Sequence, residues 1–403
     1  MSILSGKKVL LGISGGIAAY KSAFLVRLLI KAGASVKVVM TENSKEFVTP
    51  LTLSTLSKNR VYWSFTDSEN KDAVWNNHVD LGLWADLMII APATANTMSK
   101  MASGTSDNFL LATYLSARCP VFIAPAMDLD MYAHASTQEN IGILVDRGNH
   151  IIPAESGELA SGLIGQGRMA EPESIVSLVE NLLKSSLPLY GKKILVTAGP
   201  TYEAIDPVRF IGNHSSGRMG FELASHAAQL GAEVFLVTGP CSLTLDNPLV
   251  RVVRVQSADQ MYNAVHQVFN QVNIAILAAA VADYKPAEVA DQKIKKKTAN
   301  LHIDLVPTSD ILASLGKIKT DQFLVGFALE TQNELDNAVS KLQRKNLDAI
   351  VLNSLNDTGA GFGKSTNKIT FIDKNLNRIA FPLKSKAEVA IDIFNEIRSR
   401  LHA

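Results

Sequence analysis

Gly6-Lys7-Lys8-Val9-Leu10-Leu11-Gly12-Ile13-Ser14-Gly15-Gly16 near the start of the chain is echoed by Gly191-Lys192-Lys193-Ile194-Leu195-Val196-Thr197-Ala198-Gly199-Pro200 near its middle. Each is a short apolar run that ends in small residues, the pattern of a buried strand entering a tight turn. An amphipathic stretch then leads to a glycine and a second apolar run, at Gly33 before Val36–Met40 and at Gly231 before Val234–Val237. Strand, helix, strand therefore occurs once in each half, and the expected fold class is α/β.

Outward from these two openings the alternation continues. Apolar runs at 87–91 and 121–124 end in Ala91-Pro92 and Ala124-Pro125, as strands do where they run into loops, and a helix is expected over 17–32. The second half repeats the order with strands at 194–197, 234–237, 274–279, 323–327 and 350–352, then a hairpin over 368–373 and 378–382 before a final helix. Parallel strands joined by helices place their carboxyl ends on one edge, so the loops after Ile13, Met40, Ile90 and Ile123 are expected to share one site. A closing helix over 174–187 and the linker-like Ser185-Ser186-Leu187-Pro188 put the domains at 1–190 and 191–403.

The 403 residues are 47% hydrophobic, enough for two cores, and the net charge of +1 offers no whole-molecule field to recruit nucleic acid or an anionic membrane. Small-molecule partners are expected instead. Cys119 and Cys241 are the only cysteines, which excludes a disulfide scaffold and a cysteine-rich zinc site. Met1-Ser2-Ile3-Leu4-Ser5 lacks the apolar core of a signal peptide, and runs such as 274–282 are too short to span a bilayer, so a cytoplasmic protein is expected.

Ser14, Gly15, Gly16 and Ile17 lie between strand and helix, where small residues let a phosphate approach backbone N–H groups at the positive end of a helix dipole. The turn is not a dinucleotide fingerprint, because two of the three glycines are missing. Pro92-Ala93-Thr94-Ala95-Asn96-Thr97 and Pro125-Ala126-Met127-Asp128-Leu129-Asp130-Met131-Tyr132 also follow strands and bring small, amide and thioether groups to the same edge.

With the motifs Gly12-Ile13-Ser14-Gly15-Gly16-Ile17-Ala18-Ala19-Tyr20-Lys21, His78, Pro92–Thr97, 125–132 and Gly165-Gln166-Gly167-Arg168-Met169, residues 5–185 resemble the flavin-dependent cysteine decarboxylases. The resemblance implies a flavodoxin-like, Rossmann-like domain with a mainly parallel sheet. It implies FMN held at a subunit interface by Ser14, Gly15, Gly16, Ile17, Thr41, Pro92, Ala93, Thr94, Ala95 and Asn96, with His78 as the active-site base. It also implies an oxidative route in which the cysteinyl carbon bearing sulfur is oxidised, the neighbouring carboxylate leaves as carbon dioxide, and the electrons return from the flavin. Two positions depart from the family pattern: Asp128 stands where the family has Asn in its substrate-recognition motif, and Ser161 where it has Cys in a mobile flap. A carboxylate repels a substrate carboxylate unless protonated, and a hydroxyl is a poorer proton donor than a thiol of pKa ~8.5. An impaired or regulatory flavin half beside an active second half is therefore a standing alternative.

In the second half, Asn213-His214-Ser215-Ser216-Gly217-Arg218-Met219-Gly220 leads into an expected helix over 221–230, so Ser215 and Ser216 are expected at its cap, offering N–H groups to an anion. Arg209 and Arg218 add planar forks for phosphate or carboxylate, and Lys293-Ile294-Lys295-Lys296-Lys297 concentrates ammonium groups on one loop. With Ala278–Tyr284, Gly326–Thr331 and Lys345–Asn353, these blocks over 191–401 resemble the phosphopantothenate–cysteine ligases.

That resemblance implies a second Rossmann-like domain in which CTP lies across Leu277, Ala278, Ala279, Asp283, Lys293, Ser309, Asp310, Ile311, Leu312, Phe327, Lys341 and Lys345. With Mg²⁺, the 4'-phosphopantothenate carboxylate attacks the α-phosphate, pyrophosphate leaves, and the amine of cysteine displaces CMP to give phosphopantothenoylcysteine, the decarboxylase substrate. Cationic and metal clamps stabilise the charge building on the phosphates. Asn213 is implied at the acyl-cytidylate, Arg209 at its approach and Lys293 as the cation for transfer. No set of metal ligands is legible. Homo-oligomers are implied, trimeric through flavin domains and dimeric through ligase domains. The rivals are an NAD(P)-dependent reductase, disfavoured by the missing glycines although Glu42 sits near a ribose-binding position, and a flavin-binding regulator.

Overall fold

The computed structural model describes residues 2–66, 75–295, 301–354, 356 and 363–401. The chain divides into two compact units, Met1–Lys184 and Ser185–Ala403.

The first unit runs β1 (Lys8–Ile13), α1 (Ser22–Lys31), β2 (Ser35–Met40), α2 (Pro50–Ser57), β3 (Val61–Tyr62), α3 (His78–Trp84), β4 (Leu87–Ala93), α4 (Ala95–Ser103), α5 (Phe109–Ser116), β5 (Val121–Pro125), α6 (Leu129–Ala133), α7 (Ala135–Asp146), β6 (His150–Ile151), the hairpin β7 (Glu155–Glu158) and β8 (Ile164–Arg168), and α8 (Pro172–Ser185). Its six-stranded sheet has the order β3-β2-β1-β4-β5-β6, and every pairing is parallel. This is the Rossmann order; without the two-residue edge β3, the five remaining strands follow the flavodoxin order. Burial on both faces explains the near-continuous apolar strands. Val9, Leu11 and Ile13 enter one core with Leu25 and Leu29, whereas Leu10 enters the other with Phe109 and Leu110. The expected helix over 17–32 is two pieces, a 3-10 turn at Ile17–Lys21 and then α1.

The second unit runs β9 (Lys193–Ala198), the hairpin β10 (Tyr202–Ala204) and β11 (Phe210–Gly212), α9 (Arg218–Gln229), β12 (Glu233–Thr238), β13 (Val250–Arg254), α10 (Ala258–Phe269), β14 (Ile274–Leu277), the ribbon β15 (Tyr284–Pro286) and β16 (Leu305–Pro307), α11 (Ile311–Ile318), β17 (Phe323–Glu330), α12 (Glu334–Arg344), β18 (Ala349–Ser354), β19 (Thr366–Asn367), β20 (Ile369–Asp373), β21 (Arg378–Ala380), β22 (Lys384–Ser385) and α13 (Lys386–Leu401). Strands β13-β12-β9-β14-β17-β18 pair in parallel, again in the Rossmann order, and antiparallel β20 and β21 extend the edge as the expected hairpin. In each unit the strand order reverses at the first strand, between β1 and β4 and between β9 and β14. Open α/β sheets bind ligands in the crevice at that point.

Candidate functional site

The second-unit crevice is a cavity of about 550 Å³ at the switch between β9 and β14. The loop after β14 is stapled to the loop after β9: Thr197 Oγ1 accepts from Ala279 N at 3.1 Å, Gly199 O from Ala280 N at 2.9 Å, and Thr201 Oγ1 from Ala282 N at 3.0 Å. Asn213 reaches across and donates its amide to the carbonyls of Ala280 (3.2 Å) and Val281 (3.0 Å). The expected nucleotide residues Leu277, Ala278, Ala279 and Asp283 all lie on this wall, as do Ser309, Asp310, Ile311 and Leu312, and then Phe327, Lys341 and Lys345.

Charge is concentrated on one side of this wall. Asp310 caps α11 by accepting from Ala313 N at 2.9 Å and pairs with Lys345 at 2.6 Å. Burial pushes the Asp310 carboxyl up, but the bonds from Lys345 and Ala313 and the charges of Lys345 and Lys341 outweigh it and hold its pKa below the usual value. Lys341 donates to Phe327 O at 2.8 Å; burial and the neighbouring Lys345 lower its pKa against the opposing pull of Glu330, Asp310 and Asp283. The first turn of α9 also faces the cavity. Its cap is Gly217 in the left-handed region (φ +77°), not Ser215 or Ser216 as the composition suggests; Ser215 Oγ instead accepts from Gly217 N at 3.3 Å.

Arg209 and Lys293 are not on this wall. The Arg209 guanidinium donates to Ile294 O at 2.5 Å and pairs with Asp206 at 3.1 Å, while Asp206 accepts from Ile294 N at 3.1 Å. The pair thus grips both backbone groups of the residue between Lys293 and Lys295. Burial raises the Asp206 pKa, yet the N–H groups of Val208, Ile294 and Arg209 and the Arg209 charge bring it below the ordinary value. Arg209 therefore anchors the base of the lysine loop. Lys293 is exposed, and Lys296 and Lys297 lie outside the described residues. Asp206→Asn, which removes the charge that holds Arg209, should lower the rate of the reaction at this site about tenfold while ligand affinity changes less than threefold, the separation expected of a positioning contact rather than a binding one. Equal losses in both would contradict an anchoring role.

The first-unit crevice, about 490 Å³, lies at the switch between β1 and β4. Gly16, Ile17, Pro92, Thr94 and Asp128 are on its wall. Ser14 is fully buried behind them: its Oγ donates to Pro92 O at 2.8 Å and accepts from Thr94 N at 3.0 Å, locking the two loops together. Gly15 lies so close to the next loop that a Cβ there would fall 2.7 Å from Asn43 Cβ. Ala93 ends β4 and accepts from Ala126 N, while Ala95 and Asn96 open α4, capped by Thr94. Thr41 opens the loop after β2, off the crevice wall, and its buried Oγ1 has no hydrogen-bond partner among the described residues.

Sequence reasoning did not single out Lys21, Glu158 or Arg168 individually, yet all three line this crevice. Lys21 is 5% exposed and donates to Met169 O (3.1 Å) and Glu171 (2.9 Å), fixing the glycine-rich strand that bears Arg168. The glycines around Arg168 were the available signal. Ser161 is exposed at the tip of the β7–β8 hairpin, next to Ala160 on the crevice wall. His78 is not on that wall. It opens α3, capped by Asn77, with its ring packed edge-on against Phe65 (5.7 Å) and Phe109 (6.3 Å), and its buried Nδ1 has no partner among the described residues. Among the described residues no three His, Cys, Asp or Glu side chains gather as a metal cage, and no helix is long and apolar enough to cross a membrane.

Two Rossmann-like units, each with a ligand crevice where its strand order reverses, define a two-site protein built for phosphate-bearing small molecules. Residues 2–184 match the family described as flavoprotein, and residues 189–401 the DNA/pantothenate metabolism flavoprotein C-terminal domain. The chain is 58% identical over 360 residues to a protein named cysteine/cysteine sulfinic acid decarboxylase from an unknown prokaryotic organism, covering 88% of this chain and 100% of that one. It is 46% identical over 397 residues to the coenzyme A biosynthesis bifunctional protein CoaBC of Bacillus subtilis (strain 168), covering 98% and 97%. A crystal structure of the C-terminal domain of a CoaBC protein aligns with a TM-score of 0.46 at 44% identity, over 54% of this chain and 99% of that one. The chain belongs to the family of coenzyme A biosynthesis bifunctional proteins.

Proposed function

We propose that the second unit joins 4'-phosphopantothenate to cysteine through an acyl-cytidylate made from CTP, and that the first unit decarboxylates the resulting phosphopantothenoylcysteine to 4'-phosphopantetheine, two steps of coenzyme A biosynthesis in the cytoplasm. The observation that carries this reading is the pairing, in one chain matching its bifunctional relatives over nearly their full length, of a crevice at each sheet's switch point. It favours two working halves over an impaired or regulatory flavin half. Incubation with 4'-phosphopantothenate, cysteine, CTP and Mg²⁺ should release pyrophosphate and yield both products, resolved by mass spectrometry. No CTP-dependent pyrophosphate would end the ligase reading, and accumulation of phosphopantothenoylcysteine alone would end the decarboxylase reading.

The first-unit residues fit FMN. The extended Gly16 backbone, Ile17, Pro92 and Thr94 line an open crevice that leaves room for a flat ligand, and the orphaned Thr41 hydroxyl, on the loop after β2 and off that wall, is a further hydrogen-bonding group without a partner among the described residues. Ser14, Gly15, Gly16, Ile17, Thr41, Pro92, Ala93, Thr94, Ala95 and Asn96 would hold it. Bound there, the flavin supplies two-electron oxidation and return. The chain's own residues orient substrate and move protons, with His78 as base and Ser161 on the hairpin as proton donor. In the second unit, Asn213 and the cavity-wall lysines would hold the CTP-derived acyl-cytidylate, Lys293 would close over its phosphates, and Mg²⁺ would arrive with the triphosphate, where Asp283 and Asp310 are the carboxylates on the wall.

Oligomerisation supports this chemistry. Trp75, Val79 and Leu83 leave an exposed apolar stripe around His78, and Ile17, Tyr20 and Phe24 leave another beside the crevice. Packing these stripes together between copies would bring His78 to a neighbouring crevice, in line with trimeric flavin units. Val208, Phe210, Tyr284, Leu305 and Val306 expose a similar surface on the second unit, in line with dimers there.

Asp128 favours a second reading of the first unit. A carboxylate on the crevice wall suits a substrate with a free ammonium group, and the 58%-identical relative is named as a cysteine decarboxylase. Asp128→Asn should then lower kcat/KM for free cysteine by roughly 10–100-fold, the worth of a hydrogen bond to a charged group, and leave or raise that for phosphopantothenoylcysteine. No carbon dioxide from free cysteine in the wild type would exclude this reading.

A further inference from the structure

The hairpin that leads to Asn213 stands apart from the main sheet of the second unit. Strands β10 and β11 pair only with each other, with Glu203 opposite Ile211. A two-stranded ribbon is marginal by itself, so its position comes from what it is tied to. At its turn it holds the Asp206–Arg209 clamp on the lysine loop, and at its exit Asn213. Its own ties lead to helix α10. Tyr202 N donates to Gln256 O at 2.8 Å, and Ala258 N, the first N–H of the helix, donates to Glu203 Oε1 at 2.8 Å. Glu203 is 3% exposed, and no salt bridge among the described residues reaches it. A buried carboxylate is costly without compensation, which the N–H and the positive end of the α10 dipole provide. The helix already has a reciprocal capping box from Ser257 and Gln260, so the carboxylate is not what starts α10; it is what fastens the hairpin.

Helix α10 in turn meets the other parts of the site. Met261, in its first turn, is fully buried and stands on the cavity wall. Asp259 pairs with Lys285 on β15, the strand that leads into the lysine loop, and Ala290 N of that loop donates to Ile205 O of the hairpin at 3.0 Å. Further along, His266 Nε2 lies 3.1 Å from Ser314 Oγ on α11, whose first residues, Ile311 and Leu312, also line the cavity. One helix thus registers the hairpin against the nucleotide wall, and Glu203 is the buried side chain that joins the two.

We propose that Glu203 is a positioning residue of the amide-forming site: by accepting from Ala258 N it holds Asn213 and the Arg209–Asp206 clamp in register with the nucleotide wall. The proposal rests on the ligase reading and adds to it a residue that acts through others. The groups expected to hold CTP stand on or beside β14, α11, β17 and α12, away from the hairpin. Loss of the tie should therefore disturb the step that the hairpin groups serve and spare nucleotide binding, since a misplacement on the order of 1 Å can cost about 100-fold in rate.

Three variants of the full chain separate reach from charge. Glu203→Gln keeps an acceptor oxygen at the same reach, Glu203→Asp keeps the charge but stops one methylene short of Ala258 N, and Glu203→Ala removes both. Amide formation is measured by mass spectrometry, as phosphopantothenoylcysteine plus its decarboxylated product, with 4'-phosphopantothenate, cysteine and saturating CTP. It should fall about tenfold or more in Glu203→Ala and Glu203→Asp, the loss expected when a hydrogen bond to a charged group is removed. Glu203→Gln should stay within about threefold of wild type, and the calorimetric Kd for CTP within about threefold in all three. A wild-type rate in Glu203→Ala, a Glu203→Gln as slow as Glu203→Ala, or a loss of CTP affinity equal to the loss of rate would each overturn the proposal. Should Glu203→Ala fail to fold, Glu203→Asp against Glu203→Gln makes the same comparison. A wild type that forms no amide with CTP overturns the ligase reading itself, a result separate from a variant that matches an active wild type.

Discussion

His78→Asn is expected to lower carbon dioxide release from phosphopantothenoylcysteine by roughly 100-fold or more, the contribution typical of a positioned proton-transfer group, while pyrophosphate release from CTP stays at the wild-type level. The substitution is mild for folding. His78 is only half-buried, and the α3 cap is made by Asn77, whose Oδ1 accepts from Val79 N and Asp80 N. What the change removes is an imidazole wedged between Phe65 and Phe109, with a buried nitrogen that no described residue satisfies. A buried ring nitrogen without a partner is costly unless a ligand or another chain completes it. Because His78 is not on the crevice wall of its own unit, the geometry demands a second test. Mixed oligomers of His78→Asn and Asp128→Ala chains should recover part of the activity that each homo-oligomer lacks, since one crevice can then pair an intact wall with an intact imidazole. Wild-type rates in His78→Asn would remove the base assignment, and inactive hybrids would remove the shared-site geometry.

The extent to which this could be seen in advance follows the physics of each signal. Strands β1, β4, β9 and β14 were legible because parallel strands buried on two faces are written as unbroken apolar runs, and their loops end in small residues or proline. That placed the two crevices, while the residues on the wall of the second came from the family resemblance and do line the cavity, Lys293 excepted. Long-range contacts were not legible. Ile17–Lys21 is a tight 3-10 turn rather than the start of α1, with Lys21 drawn inward by Met169 O and Glu171, partners about 150 positions away. Arg209 reads as a substrate fork, and only the fold reveals that it is held by Asp206 and Ile294. Lys386 carries no motif either, and only the fold shows that the start of α13 is buried on the wall of the second cavity.

Gly316→Ala is expected to destabilise the second unit by about 1–3 kcal/mol or more, the usual cost of overpacking, and to weaken CTP binding with it. A Cβ at residue 316 would lie 1.9 Å from the carbonyl oxygen of Lys345. The obstacle is backbone, so no rotamer change relieves it. Helix α11 must move away from the end of α12, where Asn346 adopts the left-handed region (φ +52°) and donates to Gly316 O at 2.9 Å. Both sides of that contact carry cavity groups: Asp310 caps α11, and Lys341 and Lys345 stand at the end of α12. Separation breaks the 2.6 Å Asp310–Lys345 pair, which restrains two side chains on the nucleotide wall. For a unit of this size, each kcal/mol shifts Tm by roughly 2–4 °C, so the unfolding transition should fall by about 2–12 °C. Saturating CTP should recover part of that loss, since a ligand that binds only the folded state stabilises it by mass action. A variant with wild-type Tm and wild-type CTP affinity would mean that the α11–α12 crossing does not set the geometry of the nucleotide wall.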